Sequence, residues 1–89
     1  MTEPTHVDGN AAAGAFADVL GFDVTTATLT CGGCGRAAVF AESRVYHRAP
    51  GIVVRCPDCD HVLARLVQTP TEVLLDLSGA QMWRIASPG

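Results

Sequence analysis

The chain has no lysine. Its six basic residues are all arginine: Arg36, Arg44, Arg48, Arg55, Arg65 and Arg84. Nine acids outweigh them, and the net charge is −3. Non-specific affinity for nucleic acid comes largely from positive charge, so the composition argues against nucleic acid as a partner. Lysine avoidance beside plentiful alanine and valine points to a GC-rich genome and says nothing about activity. No segment is apolar for long enough to cross a bilayer. MTEPTHVDGN, residues 1–10, is acidic and has neither the basic start nor the apolar stretch of a secretory signal. A cytoplasmic protein is therefore expected. Long charged runs and low-complexity tracts are also missing, which leaves a globular composition.

The usual signs of catalysis are absent too. No serine stands beside a plausible base and orienter, and no two acids are placed for general acid–base work. No glycine-rich phosphate loop follows a strand. We therefore expect a protein that is not an enzyme.

What the chain does have is cysteine. Its 89 residues make one domain at most, with a small core that needs a staple. Four cysteines provide one. They fall as Cys31-x2-Cys34 and Cys56-x2-Cys59, with twenty-one residues between the pairs. A two-residue gap folds the chain into a tight knuckle that aims both sulfurs at one ion, and backbone amides then turn toward the sulfurs. The residue after the second cysteine often takes a left-handed backbone. Gly35 meets that demand, and Asp60 holds the equivalent place.

In a reducing compartment such pairs are metal ligands before they are disulfides. One Zn²⁺ held by Cys31, Cys34, Cys56 and Cys59 is the leading reading, because four thiolates leave no open position for chemistry. Iron on the same ligands is the first alternative. Disulfides or free redox thiols are the second.

Elsewhere the pattern is mostly β. Residues 1–9 read as a flexible lead-in and 10–87 as a single zinc-ribbon domain. Residues 10–21 read as a helix, capped by Asp8 or Asn10 and ended by Gly21, with Ala12, Phe16, Val19 and Leu20 on one face. Strands are expected over 24–30, 37–40, 44–47, 52–55, 61–69, 73–77 and 81–85. Turns are expected at 49–51, 69–72 and 78–79, so the last three strands read as an antiparallel meander. The expected fold is a small β-rich zinc ribbon with antiparallel strands and a short N-terminal helix.

Several other residues have a sharp and a bland use. His6 and His47 read as solvated. His61 follows the second knuckle closely enough to support the metal through a hydrogen bond. Arg36, Arg44, Arg48 and Arg55, with Tyr46, form a locally basic stretch. Its simplest use is to offset the charge of a metal–thiolate site, about −2 for a divalent ion, or to pair with the acidic N-terminal segment. Binding nucleic acid is the sharper use. Trp83 reads as a packing residue, or as an interface anchor if exposed.

CGGCG and CPDCD resemble the knuckles of zinc-ribbon and rubredoxin-like proteins, which typically read CxxCG and CPxCG. Cys31, Cys34, Gly35, Cys56, Pro57 and Cys59 match that motif, and Asp60 departs from it. The aromatic residues usual around a rubredoxin's iron are not evident here. The chain as a whole, from HVDGNAAAG through RAPGIVVRCPDCD to VLLDLSGA, resembles a small bacterial family catalogued as domain of unknown function 6510. These resemblances imply a four-cysteine metal protein, with an oxidoreductase as one class of partner. A structural metal site without catalytic residues points to an accessory module that acts by protein–protein contact. A rubredoxin-like electron carrier and a nucleic-acid-binding ribbon stand as alternatives.

Overall fold

The computed structural model describes residues 7–48 and 51–86. Two antiparallel sheets, one α-helix and one 3-10 turn make up the described residues. Strand β1 is Val7–Asp8, helix α1 is Asn10–Leu20, β2 is Thr28–Cys31 and β3 is Ala37–Val39. A 3-10 turn at Phe40–Glu42 leads into β4, Arg44–Arg48. Then follow β5 at Gly51–Arg55, β6 at Val62–Gln68, β7 at Val73–Asp76 and β8 at Ala80–Arg84. The first sheet has the order β1-β4-β5-β6-β7, and the second β3-β2-β8.

Helix α1 forms where the spacing predicts it. Ala12 and Phe16 are fully buried, while Gly14 and Asp18 on the other side are not. Gly21 ends it in a left-handed conformation, with its N–H donating to Ala17 O at 2.7 Å. The start differs from the expectation of an Asp8 or Asn10 cap. Gly9 is the capping residue, and its N–H donates to Ala41 O at 3.0 Å. A packed backbone takes the place of a side-chain cap. The lead-in read over 1–9 lies outside the described residues as far as residue 6, as does His6. Val7 and Asp8 are already paired with Val45 and Arg44.

The helix packs on its own ribbon. Phe16 meets Phe40 edge-on, with ring centroids 5.3 Å apart, and Phe40 meets Trp83 at 5.9 Å. Val24, Ala27 and Leu29 join them in the core, as do Val45, Val54, Leu63 and Leu66. Aromatic contact of this kind adds to the area buried. Trp83 is thus a packing residue, and its indole N–H is buried without a hydrogen-bond partner among the described residues.

Three strand readings change. The strand expected from residue 24 begins only at Thr28, because the Asp23 carboxylate accepts the Thr25 N–H at 2.9 Å and turns the chain first. The strand over 37–40 stops at Val39, and Phe40 swings into the core through the 3-10 turn. The expected three-strand meander does not form. β7 pairs with β6, but β8 crosses to the second sheet and pairs with β2. Asp76 is the local cause. Its Oδ1 accepts from the Ser78 N–H at 2.9 Å and hydroxyl at 2.6 Å, so the chain bends out of the sheet after β7. The turn read at 49–51 includes Ala49 and Pro50, which lie outside the described residues; the flanking hairpin is in register through Arg48 and Gly51.

Candidate metal centre

β2 runs directly into the first knuckle, and β5 into the second. Each knuckle closes with the same two backbone bonds. In the first, Cys31 N–H donates to Arg36 O at 2.8 Å and Gly35 N–H to Cys31 O at 3.0 Å. In the second, Cys56 N–H donates to His61 O at 2.8 Å and Asp60 N–H to Cys56 O at 3.1 Å. Both turns need a left-handed residue at the same place. Gly35 has φ 78° there, and Asp60 has φ 68°. The departure from the usual glycine at Asp60 therefore leaves the knuckle's shape intact.

The four sulfurs converge. Cys31 Sγ lies 3.6 Å from Cys59 Sγ, and Cys34 Sγ 3.8 Å from Cys56 Sγ. All four lie within 4.8 Å of one another, and no two are bonded. A tetrahedral ion about 2.3 Å from each thiolate sets neighbouring sulfurs about 3.8 Å apart. The donor set and its spacing thus fit one ion. Backbone amides also point at the sulfurs, as ligand thiolates require. Gly33 N–H and Cys34 N–H lie 3.2 and 3.4 Å from Cys31 Sγ, and Asp58 N–H lies 3.3 Å from Cys56 Sγ.

The thiols' proton affinities show what a cation does for the cluster. Burial pushes the Cys31 thiol up, but the N–H groups of Cys34 and Gly33 and the thiols of Cys59 and Cys34 together outweigh it. Its pKa falls to about 7. The His61 N–H pulls the Cys59 thiol down, yet burial and the other three thiols win and push it up to about 12. Cys34 also moves up: the Arg36 N–H lowers it, and burial with its neighbours Cys56 and Cys31 prevails. One thiolate forms readily, and further ones repel it. A central cation removes that repulsion. The burial is unequal, since Cys31 and Cys56 sit in the core while Cys34 and Cys59 are exposed.

The sequence model of a family described as "Family of unknown function (DUF6510)" matches residues 3–88. The chain belongs to this family. No curated protein and no solved structure matches it. The DUF6510 chain has a zinc-ribbon-like fold: antiparallel sheets, one short helix, and two cysteine knuckles that bring four thiols together. Among its described residues, no helix is long and apolar enough to cross a membrane.

His61 does not join the sulfurs. Its ring lies over the first knuckle, so that a Cβ at Gly33 would sit 3.0 Å from His61 Cγ. The Gly-Gly in CGGC leaves room for that ring. His47 lies on β4, opposite Ile52, and is exposed.

The arginines find partners that the sequence reading passed over. Arg36, from the first knuckle, reaches Asp58 of the second at 3.7 Å. Arg44 and Arg55 each reach the Asp60 carboxylate at 3.8 Å, and Arg55 also donates to Asp60 O at 3.1 Å. Tyr46 OH donates to Asp60 Oδ1 at 3.5 Å, and the Arg55 guanidinium lies over the Tyr46 ring at 5.3 Å. The acids that meet these arginines are thus inside CPDCD. These pairs are half exposed, so each contributes only a few tenths of a kcal/mol, about the surface median. Their value is positional, because they hold the second knuckle against β4 and β5.

Asp60→Ala is expected to cost the metal-loaded protein about 1–2 kcal/mol, mainly for a left-handed backbone that alanine resists. Asp60→Gly gives up the same contacts but relaxes the backbone, so it costs less. Urea unfolding of both variants measures the difference. Equal losses would place the cost in the carboxylate contacts instead.

Proposed function

We propose that this protein is a non-enzymatic accessory module whose four-cysteine site holds one structural Zn²⁺ and which works by contact with another protein. The observation that carries the reading is the convergence of Cys31, Cys34, Cys56 and Cys59, with all four sulfurs within 4.8 Å. Four thiolates complete a tetrahedral ion and leave it no open position, so the metal supports shape and not turnover. Among the described residues, no other group of three or more His, Cys, Asp or Glu side chains comes together in this way. The nucleic-acid reading loses support, because Arg36, Arg44, Arg55 and Arg65 all meet aspartates.

A second reading follows from the exposure of Cys34 and Cys59. An iron ion on the same sulfurs would lie near the surface, where a rubredoxin-like electron carrier needs it, and an oxidoreductase would be its partner. Elemental analysis with a visible spectrum separates the two. We expect one equivalent of zinc and no colour in tag-free protein purified without chelator. One equivalent of iron with thiolate-to-iron absorption, repeated in protein from the native host, would put electron transfer first. The partner itself is sought by pull-down from native lysate, and the absence of any stoichiometric partner there would count against the accessory role.

A further inference from the structure

Two of the four sulfurs face solvent and two do not. Cys34 and Cys59 are exposed, one from each knuckle, while Cys31 and Cys56 are each 1% exposed. The close approaches run across the knuckles and join an exposed sulfur to a buried one. Cys59 lies 3.6 Å from Cys31, and Cys34 lies 3.8 Å from Cys56. A redox-responsive cysteine needs access for an oxidant and a second thiol beside it to close a disulfide. The cluster meets both needs twice, once at each exposed sulfur.

We propose that the cluster is an oxidation site, at which hydrogen peroxide converts the four thiolates into two disulfides, Cys31–Cys59 and Cys34–Cys56. A covalent staple then replaces the metal one. This rests on the reading that the four sulfurs hold Zn²⁺.

The Cys59 thiolate attacks one peroxide oxygen. The O–O bond breaks, hydroxide leaves, and a sulfenic acid remains on Cys59. The Cys31 thiolate then attacks the Cys59 sulfur. The S–S bond forms, the S–O bond breaks, and a second hydroxide leaves. Cys34 and Cys56 repeat both steps with a second peroxide. Each sulfur pair gives up two electrons and each peroxide takes two. A disulfide is not a thiolate donor, so both steps together free the divalent ion with its charge unchanged.

The exchange preserves the fold. Cys31 ends β2 and Cys56 follows Arg55 of β5, so either disulfide ties together the two knuckles that these strands feed. Closing the gaps to the ~2.05 Å of a disulfide draws the sulfurs together by less than about 2 Å. The bonds that close each knuckle, Cys31 N–H to Arg36 O and Cys56 N–H to His61 O, use no sulfur and persist. Disulfides within a knuckle, Cys31–Cys34 and Cys56–Cys59, would instead leave the two knuckles unlinked. Chelation also leaves them unlinked, with four thiols between them, and so differs from oxidation in its outcome.

Titration of the metal-loaded full chain with hydrogen peroxide tests the proposal. Two peroxides per chain should be consumed, with one equivalent of zinc released and all four thiols lost. The absence of lysine makes the pairing easy to read. Trypsin leaves Cys31 and Cys34 on one peptide, 1–36, and Cys56 and Cys59 on another, 56–65. After free thiols are blocked, a non-reducing digest should show the two peptides linked, and fragmentation should assign Cys31–Cys59 and Cys34–Cys56. Circular dichroism of the oxidised protein should stay close to that of the loaded protein, and should collapse once dithiothreitol and a chelator are added together. Two unlinked peptides, each with an internal disulfide, overturn the proposal. So do the opposite cross-pairing, bonds between chains, thiols that outlast the peroxide, sulfinic acid on Cys34 and Cys59, or an oxidised protein that has unfolded. A starting preparation without zinc would sink the zinc reading alone, because the peptide linkage reports on the sulfurs whatever ion they held.

Discussion

Cys56→Ser is expected to leave the protein largely unfolded or aggregated, with Cys34→Ser close behind. Cys56 belongs to both the sulfur cluster and the core: it is 1% exposed, and its sulfur lies 3.8 Å from that of Cys34 and accepts the Asp58 N–H at 3.3 Å. A serine hydroxyl is a shorter and harder donor and does not replace a thiolate on such an ion. The variant keeps three thiols around a site that no longer holds its cation, and their mutual repulsion returns. Metal binding in small Cys-ligated domains supplies about 10–16 kcal/mol of folding free energy. The whole stability of a domain is about 5–15 kcal/mol. The metal term is as large as the total, so its loss is expected to abolish folding. Loss of the near-ultraviolet dichroism and of a cooperative thermal transition is the expected readout. A strong chelator on the wild type should reproduce both. A soluble variant with unchanged circular dichroism would show that the hydrophobic core stands without the metal.

The four-cysteine cluster was readable because its information is local. Two residues between cysteines, and a left-handed residue after each pair, are requirements of one turn, and a short stretch of sequence states them. The same holds for Gly21 at the end of α1 and for Phe16 on its buried face. Pairing between distant strands is a different kind of information. β8 reads as the third strand of a meander because its turn is adjacent to β7, yet it pairs with β2, some fifty residues earlier. A small local sign of this is Asp76-x-Ser78, whose side-chain bonds break the ladder. The arginines illustrate the same limit. Their excess between the knuckles was visible, and so were Asp58 and Asp60. That Arg36 crosses from one knuckle to the other at 3.7 Å is a fact of packing. The helix start failed for a related reason. Capping rules favour Asp8 or Asn10, but Gly9 lies against the backbone of Phe40 and Ala41, where no side chain fits.

The same closeness of backbones makes Gly79→Ala, like Gly9→Ala, one of the most damaging single-methyl changes expected outside the cysteines. Gly79 sits in the turn that carries the chain from the first sheet to the second. A Cβ there would lie 1.7 Å from Val62 O and 2.9 Å from Leu63 Cα. Both are backbone atoms, so no rotamer change relieves the clash. Retreat is blocked on the other side, because Gly79 O accepts the Gly32 N–H at 3.0 Å and so ties this turn to the first knuckle. An added methyl must either push β8 off the start of β6 or pull the turn from the knuckle. Overpacking of this kind costs about 3 kcal/mol or more where backbone has to move. In a domain of this size that lowers Tm by roughly 12–24 °C. Thermal melts of metal-loaded wild type and Gly79→Ala measure it, with metal content assayed on both. A drop of that size with the metal retained places the damage at the β6–β8 junction. A drop accompanied by metal loss means the strain has passed through Gly32 into the knuckle, and the turn then belongs to the metal centre's support. A melt within a degree or two of wild type would mean that β6 and β8 do not approach this closely.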